Sequence, residues 1–175
     1  KGKLIYIIAL VIGIGIPISI IYLLNLLRFR IEGHTDVEKL TTVPIIGDIP
    51  LTDAGKNGTP TIAVRENDNN IMAETFRSLR TNLLFMLGDP DRKVILVTST
   101  MSGEGKTFIA SNLAVSLALL GKKVIIVGLD IRKPGLNKVF RIHHKEKGIT
   151  GFLSAPQSTD LRSMILPSEV SDNLH

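Results

Sequence analysis

The chain opens on an unbroken apolar segment and then changes its pattern several times. From Leu4 to Leu27 no charged residue interrupts the run, and about twenty apolar residues suffice for a helix to cross a bilayer core. A transmembrane helix, with its flank filling residues 1–27, is the expectation. Pro17 and the pair Gly13 and Gly15 fit a membrane helix better than a soluble one, because small residues there support helix contacts. A secretory signal would have a shorter apolar part and a small-residue cleavage site, whereas Arg28-Phe29-Arg30 follows here. Residues 28–69 then read as a proline-containing juxtamembrane linker. Val43-Pro44-Ile45-Ile46-Gly47-Asp48-Ile49-Pro50 is unsuited to helix and suited to docking on a neighbouring surface. Thr52 to Asn70 is rich in Asp, Asn, Gly, Lys and Thr, with a turn signal at Asn57-Gly58, so mobility is expected there.

Helical periodicity starts at Ile71. Met72, Phe76, Leu79, Leu83 and Met86 or Leu87 recur at intervals of four, three and four, which gives an amphipathic helix over 71–87 whose apolar face should pack on a sheet. Glu74, Arg77 and Arg80 form a polar stripe on it; on spacing alone this is a solvated face with one Glu–Arg pair. Next comes a short β-branched run, Val94 to Ser99, as in a strand buried on both faces. Ile109, Leu113, Val115, Leu117 and Leu120 return to near-helical spacing, and Gly121 stands at the stop position. A second strand follows over Val124 to Leu129. Strand, loop, helix and strand in this order imply an α/β fold of the P-loop NTPase type, a parallel sheet with flanking helices. No third long apolar strand appears before His175, so residues 70–175 read as the N-terminal half of such a domain.

The loop between the first strand and its helix carries the chemistry. Gly103 and Gly105 let backbone N–H groups turn toward an anion, and the helix that follows adds the positive end of its dipole. Ser102, Gly103, Glu104, Gly105, Lys106, Thr107 and Phe108 would then wrap the phosphates of ATP, Lys106 reaching the β- and γ-phosphates and the Thr107 hydroxyl binding Mg²⁺. The general pattern G-x-x-x-x-G-K-[ST] is met except at its first glycine, which is Thr100 here. Asp130 closes the second strand and should lie beside the loop, since ligands bind beyond the carboxyl ends of parallel strands. A carboxylate there can hold Mg²⁺ or its waters. Arg132 follows two residues later and is a further candidate for nucleotide contact.

Charge modifies this picture locally. The whole chain carries a formal +5, and Lys122 to Lys147 holds eight Lys or Arg against two Asp or Glu. Such a segment suits anionic lipid, an acidic partner segment, nucleic acid or the nucleotide itself. Only Phe140 interleaves it, so a nucleic-acid partner is not expected. Adjacent His143 and His144 lack metal-ligand spacing. Cysteine is absent, which excludes disulfides and thiolate metal sites. Because ATP is cytoplasmic, residues after Leu27 should be too; the flanking charges, Arg28 and Arg30 against Lys1 and Lys3, hardly decide the matter.

Four features in this order carry a resemblance: the span followed by Val-Pro-Ile-Ile-Gly-Asp-Ile-Pro, the stripe Glu74-Thr-Phe-Arg77-Ser-Leu-Arg80-Thr-Asn, the Gly103 to Thr107 loop, and Gly-Leu-Asp130-Ile-Arg132-Lys-Pro. With Lys147 to Ser154 added, nearly the whole chain resembles part of a bacterial tyrosine kinase joined to a capsular or exopolysaccharide chain-length regulator. The resemblance implies Mg-ATP-dependent autophosphorylation on tyrosine in a ring of subunits at the bacterial inner membrane. It implies that Lys106 and Asp130 are catalytic, that Thr107 and Asp130 hold Mg²⁺, and that Glu74, Arg77 and Arg80 join protomers, which reverses the plain reading of the stripe. Polysaccharide export and polymerisation machinery and a cognate tyrosine phosphatase are the implied partners. Gly128 stands where the family commonly has the first acid of Asp-x-Asp, and no Walker B aspartate or tyrosine cluster precedes His175. Tyr6 and Tyr22 are the only tyrosines and both fall in the span, so the chain by itself should be inactive. A positioning ATPase of the kind that sits on membranes or DNA shares the loop but normally has an extra lysine where Thr100, Met101 and Ser102 stand. A non-enzymatic chain-length regulator with a nucleotide-binding scaffold is the other alternative.

Overall fold

The computed structural model describes residues 2–27, 31, 33–51, 61–89, 93–142, 148–158 and 160–175. Arg28 to Arg30, Asn57-Gly58 and His143-His144 lie outside the described residues. The chain divides into two compact units, Lys1–Ile45 and Ile46–His175.

The first unit is built on α1, Gly2–Leu27, a helix of 26 residues with Pro17 inside it. At 1.5 Å per residue it is about 39 Å long, against roughly 30 Å for the hydrocarbon core of a bilayer. None of its apolar window is buried by the rest of the protein, and its large side chains, Leu4 through Leu24, stand exposed on all sides. The helix is long and apolar enough to cross a membrane. A short helix, α2, His34–Glu38, follows, its ends spanned by a His34 Nε2 to Glu38 Oε1 contact of 3.3 Å. The linker pattern gave no sign of it.

In the second unit, α3 runs Ile71–Leu87, the range its periodicity predicts. Asn70 caps it, its side chain accepting from the Ala73 N–H at 2.7 Å, and Gly88 ends it at φ +58°, where a side chain would be strained. Among the described residues its apolar face packs on a helix. Phe76 and Leu79 pack into one core with Leu113, Ala114, Val115, Leu117 and Ala118 of α4, Lys106–Leu119, and the rings of Phe76 and Phe108 meet edge to face at 5.8 Å. Helix α4 is buried around its whole circumference from Ser111 to Ala118. Residues 46–49 dock as their proline-bounded pattern suggests: Ile46 and Ile49 pack on the core, and the Ile46 carbonyl accepts from Asn82 Nδ2 at 2.8 Å.

Asn112 ties a further segment to α4. Fully buried, it accepts from the backbone N–H groups of Ala63 at 2.7 Å and Val64 at 3.1 Å and donates to the carbonyls of Thr61 and Phe108. All four hydrogen-bonding capacities of the amide are used. Val64, inside the segment whose composition suggests mobility, is thereby part of the core, at 2 % exposure.

Among the described residues the expected parallel sheet is reduced to a single parallel bridge, Val124 with Leu174. It is closed by Val124 N–H to Asn173 O at 2.8 Å, His175 N–H to Val124 O at 2.9 Å and Ile126 N–H to His175 O at 2.9 Å. Val94 and Leu96 are largely exposed, as are Ile125, Val127 and Leu129. A strand is defined by its neighbours' hydrogen bonds, and these apolar runs have almost none to pair with among the described residues. The remaining elements are α5, Leu136–Val139, α6, Ile149–Ser154, and a 3-10 turn at Leu161–Met164.

Asn112→Ala should cost about 2–4 kcal/mol, because the Ala63 and Val64 amides lose their acceptor in a dry site; the measurement is the denaturation midpoint, with faster hydrogen exchange confined first to residues 61–64. Alkaline carbonate extraction of membranes from expressing cells should leave the chain in the pellet; recovery in the supernatant would show that α1 does not insert.

Candidate functional site

The loop before α4 is shaped by two left-handed glycines, Gly103 at φ +96° and Gly105 at φ +90°. A Cβ at either position would be strained by roughly 1–2 kcal/mol. Gly105 is also the N-cap of α4, and no side chain caps the first turn. The N–H groups that open a helix have no partner within it, so those of Lys106, Thr107 and Phe108 are donors suited to an anion at the positive end of the helix dipole. Glu104 holds the loop's shape, its carboxylate accepting from the Met101 N–H at 2.9 Å, while Ser99 Oγ donates to the Met101 carbonyl at 3.0 Å. Ser102, Gly103 and Glu104 are exposed, and Gly105 to Phe108 half-buried. The Phe108 ring turns away into the core against Phe76, which leaves its backbone amide as the group nearest to anion chemistry.

The 130–135 segment returns to this end of α4. Lys106 Nζ lies 3.5 Å from Asp130 Oδ2, each side chain about one-third exposed, and Asp130 Oδ1 accepts from the Lys133 backbone N–H at 3.0 Å. That N–H holds the Asp130 carboxyl below its usual range, against an opposing push from partial burial and with help from the Lys106 ammonium and the Arg132 backbone N–H. Asp130 is thus ionised and aimed at the loop lysine. Arg132 contributes that backbone group and leaves its side chain exposed. A Cβ on Gly128 would come within 3.2 Å of Leu136 Cδ1, so a side chain there would need that methyl to shift.

The donor set fits magnesium. The Thr107 hydroxyl and the Asp130 carboxylate are hard oxygen donors, and no group of three or more His, Cys, Asp or Glu able to hold a metal occurs among the described residues. Two protein oxygens suit a Mg²⁺ that arrives with phosphates and keeps several waters.

The α3 stripe is divided between two tasks and is not part of this loop site. Glu74 and Arg77 pair with each other, and Arg77 Nη2 reaches the Asp68 carbonyl at 2.6 Å. Arg80 instead points inward, Nη1 donating to the Ser116 carbonyl at 2.8 Å, a cation near the negative end of α4. Asn112 was not singled out by sequence patterning. The signal was available: a polar amide inside an apolar helical run requires partners, but the pattern does not say which.

Comparison with known proteins agrees with this geometry. Residues 95–155 match the family model CbiA, the CobQ/CobB/MinD/ParA nucleotide binding domain. The chain is 30% identical over 155 residues to the tyrosine-protein kinase ptk of Acinetobacter johnsonii, which covers 83% of this chain and 21% of that protein. Over 67 residues it is 42% identical to the succinoglycan biosynthesis transport protein ExoP of Rhizobium meliloti, 38% of this chain and 8% of that one. Among solved structures the BceF tyrosine kinase domain superposes with a TM-score of 0.68 at 29% identity, covering 82% of this chain and 60% of that one. The chain therefore spans about a fifth of the length of the Acinetobacter relative. The matches and the glycine-shaped loop at the head of α4 agree: residues 95–155 form a P-loop segment of the CobQ/CobB/MinD/ParA nucleotide-binding type, and the chain is similar to proteins named bacterial tyrosine-protein kinases over part of their length.

Proposed function

We propose that this chain is part of a membrane-anchored, ATP-dependent protein tyrosine autokinase that regulates capsular or exopolysaccharide polymerisation and export. The observation that carries the proposal is the Lys106–Asp130 pair set at the uncapped N-terminus of α4. Lysine, carboxylate and backbone donors there match the needs of a transferring phosphoryl group. The backbone N–H groups from Ser102 to Phe108 cradle the phosphates, and Lys106 neutralises charge on the β- and γ-phosphates. Thr107 and Asp130 would hold Mg²⁺, which would supply charge neutralisation at the phosphates. Arg132 adds positive charge at the rim. Lys106 and Asp130 pair at 3.5 Å; a bound nucleotide would compete for both, the lysine suited to phosphate and the carboxylate to metal or acceptor.

Helix α1 would anchor the protein in the bacterial inner membrane, with residues after Leu27 cytoplasmic, as access to ATP requires. Subunits would form a ring through Glu74 and Arg77, with Arg80 holding α3 in place from inside its own subunit. A tyrosine phosphatase would reverse the modification, and the cycle would adjust the polymerisation and export machinery. One observation favours a second reading, a non-enzymatic chain-length regulator with a nucleotide-binding scaffold. Leu136 crowds the position beside Gly128, leaving Asp130 as the one acid of that motif.

Full-length protein incubated with Mg-ATP should acquire phosphotyrosine, and Lys106→Met should lower the signal by at least about a hundredfold, consistent with loss of a main electrostatic contact to the transferring group. ATP hydrolysis without phosphotyrosine would sink the kinase assignment.

Asp130 gives a pH signature. Because its folded carboxyl titrates below the ordinary range, its stabilising contribution is complete above that range and vanishes as pH falls through the lowered value. Thermal stability of the wild type should include an acid-side loss that Asp130→Asn lacks, with no difference in slope between the two near neutral pH. A divergence in slope at neutral pH would contradict the lowered titration.

A further inference from the structure

The segment that brings Asp130 to the loop also touches the other candidate metal ligand. Gly135 has φ −86° and ψ −27°, an ordinary right-handed conformation open to any residue. Backbone freedom therefore does not call for glycine at this position. Space does: a Cβ on Gly135 would lie 3.0 Å from both Cγ2 and Oγ1 of Thr107 and 3.5 Å from its Cβ. Both branches of Thr107 crowd the place where a Cβ on Gly135 would stand, and carbon contacts normally begin near 3.5 Å.

We propose that Gly135 is a positioning residue for the Thr107 hydroxyl, its missing side chain keeping the threonine in the one rotamer that presents oxygen to Mg²⁺. The inference rests on the reading of Thr107 as a magnesium ligand and extends it to the residue that fixes its direction. Threonine has two branches on Cβ and few rotamers in a helix. Any χ1 rotation that relieves a contact with a new methyl at 135 necessarily moves the hydroxyl, because both branches turn together. Helix packing leaves little room for the alternative of moving α4, which is buried on every side from Ser111 onward.

The neighbouring residue holds the segment in place. Leu136 lies against Gly128, where a Cβ would stand 3.2 Å from Leu136 Cδ1. The Gly135 carbonyl accepts from the Lys138 and Val139 N–H groups at 3.2 and 3.3 Å, which starts α5 at this point. One stretch of chain thus sets both metal donors: Asp130 through the Lys133 N–H, and Thr107 through the space kept open at Gly135. Outer-shell groups that orient metal ligands typically change metal affinity by about 10–100-fold when altered.

The test is binding of a fluorescent ADP analogue to the full-length protein, titrated with Mg²⁺ and repeated in EDTA. Gly135→Ala should raise the Mg²⁺ concentration needed for tight binding by roughly tenfold or more, while affinity in EDTA changes by less than about twofold, since the backbone cradle is untouched. Adding Thr107→Ser to Gly135→Ala removes Cγ2, one of the two crowding atoms, and keeps the hydroxyl; the Mg²⁺ requirement should return to within about threefold of wild type, as relief of a packing clash predicts. An unchanged Mg²⁺ requirement in Gly135→Ala overturns the inference. So does an equal loss with and without Mg²⁺, which marks general damage to the fold, and so does failure of the double variant to recover. A wild type whose nucleotide binding is indifferent to Mg²⁺ overturns the underlying assignment of Thr107 as well, which separates the two failures.

Discussion

A helix that is buried on every side has no face to give to water, and α4 imposes that condition on everything around it. From Ser111 to Ala118 each residue is buried, so cover must come from several directions at once. Helix α3 supplies one side with Phe76 and Leu79, and Leu174 and Val124 add to the same core. The 61–64 segment supplies more, held by Asn112. Large-to-small changes in such a core generally cost about 2–5 kcal/mol, and the shared packing explains why the elements around α4 depend on one another. The first turn of this helix also carries the proposed phosphate-binding end. Rigidity in the buried body is what lets the exposed head present Lys106, Thr107 and uncapped amides in fixed directions.

Polar groups within this apolar packing act as ties. Asn112 satisfies two N–H groups and donates to two carbonyls, and Arg80 neutralises the far end of α4 at the Ser116 carbonyl. Each joins segments distant in sequence to the helix that carries the site. A buried polar group without a partner is costly, so these contacts also select one arrangement of the surrounding segments. The split in the α3 stripe follows from this. Three residues apart means about 300° around a helix, and by Arg80 the stripe has drifted far enough to meet α4, while Glu74 still faces solvent.

Glycines do different work at different points near the site. Gly103 and Gly105 are favoured by their positive φ, whereas at Gly128 and Gly135 a Cβ would stand close against Leu136 and Thr107. The distinction matters for function, since the first pair opens backbone donors to an anion and the second lets Leu136 and Thr107 approach the returning segment. Only backbone coordinates separate the two kinds.

Sequence by itself determined the elements whose cause is local. Periodicity set α3 at Ile71–Leu87, the apolar run set α1, and glycine spacing with Lys106 and Thr107 set the phosphate loop, because each rests on residues a few positions apart. The likeness to tyrosine kinases was legible for the same reason, as a series of short motifs in order. Tertiary structure decided what depends on long-range contact: that the α3 face meets α4, that Val64 joins the core through Asn112, that Arg80 points inward, and that Gly135 lies against Thr107. Of the two expected strands, Val94 to Ser99 and Val124 to Leu129, the described residues show one bridge, Val124 with Leu174. A β-branched run states only a preference for a strand; hydrogen bonds to neighbouring chain segments make the sheet, and no local pattern can supply those neighbours.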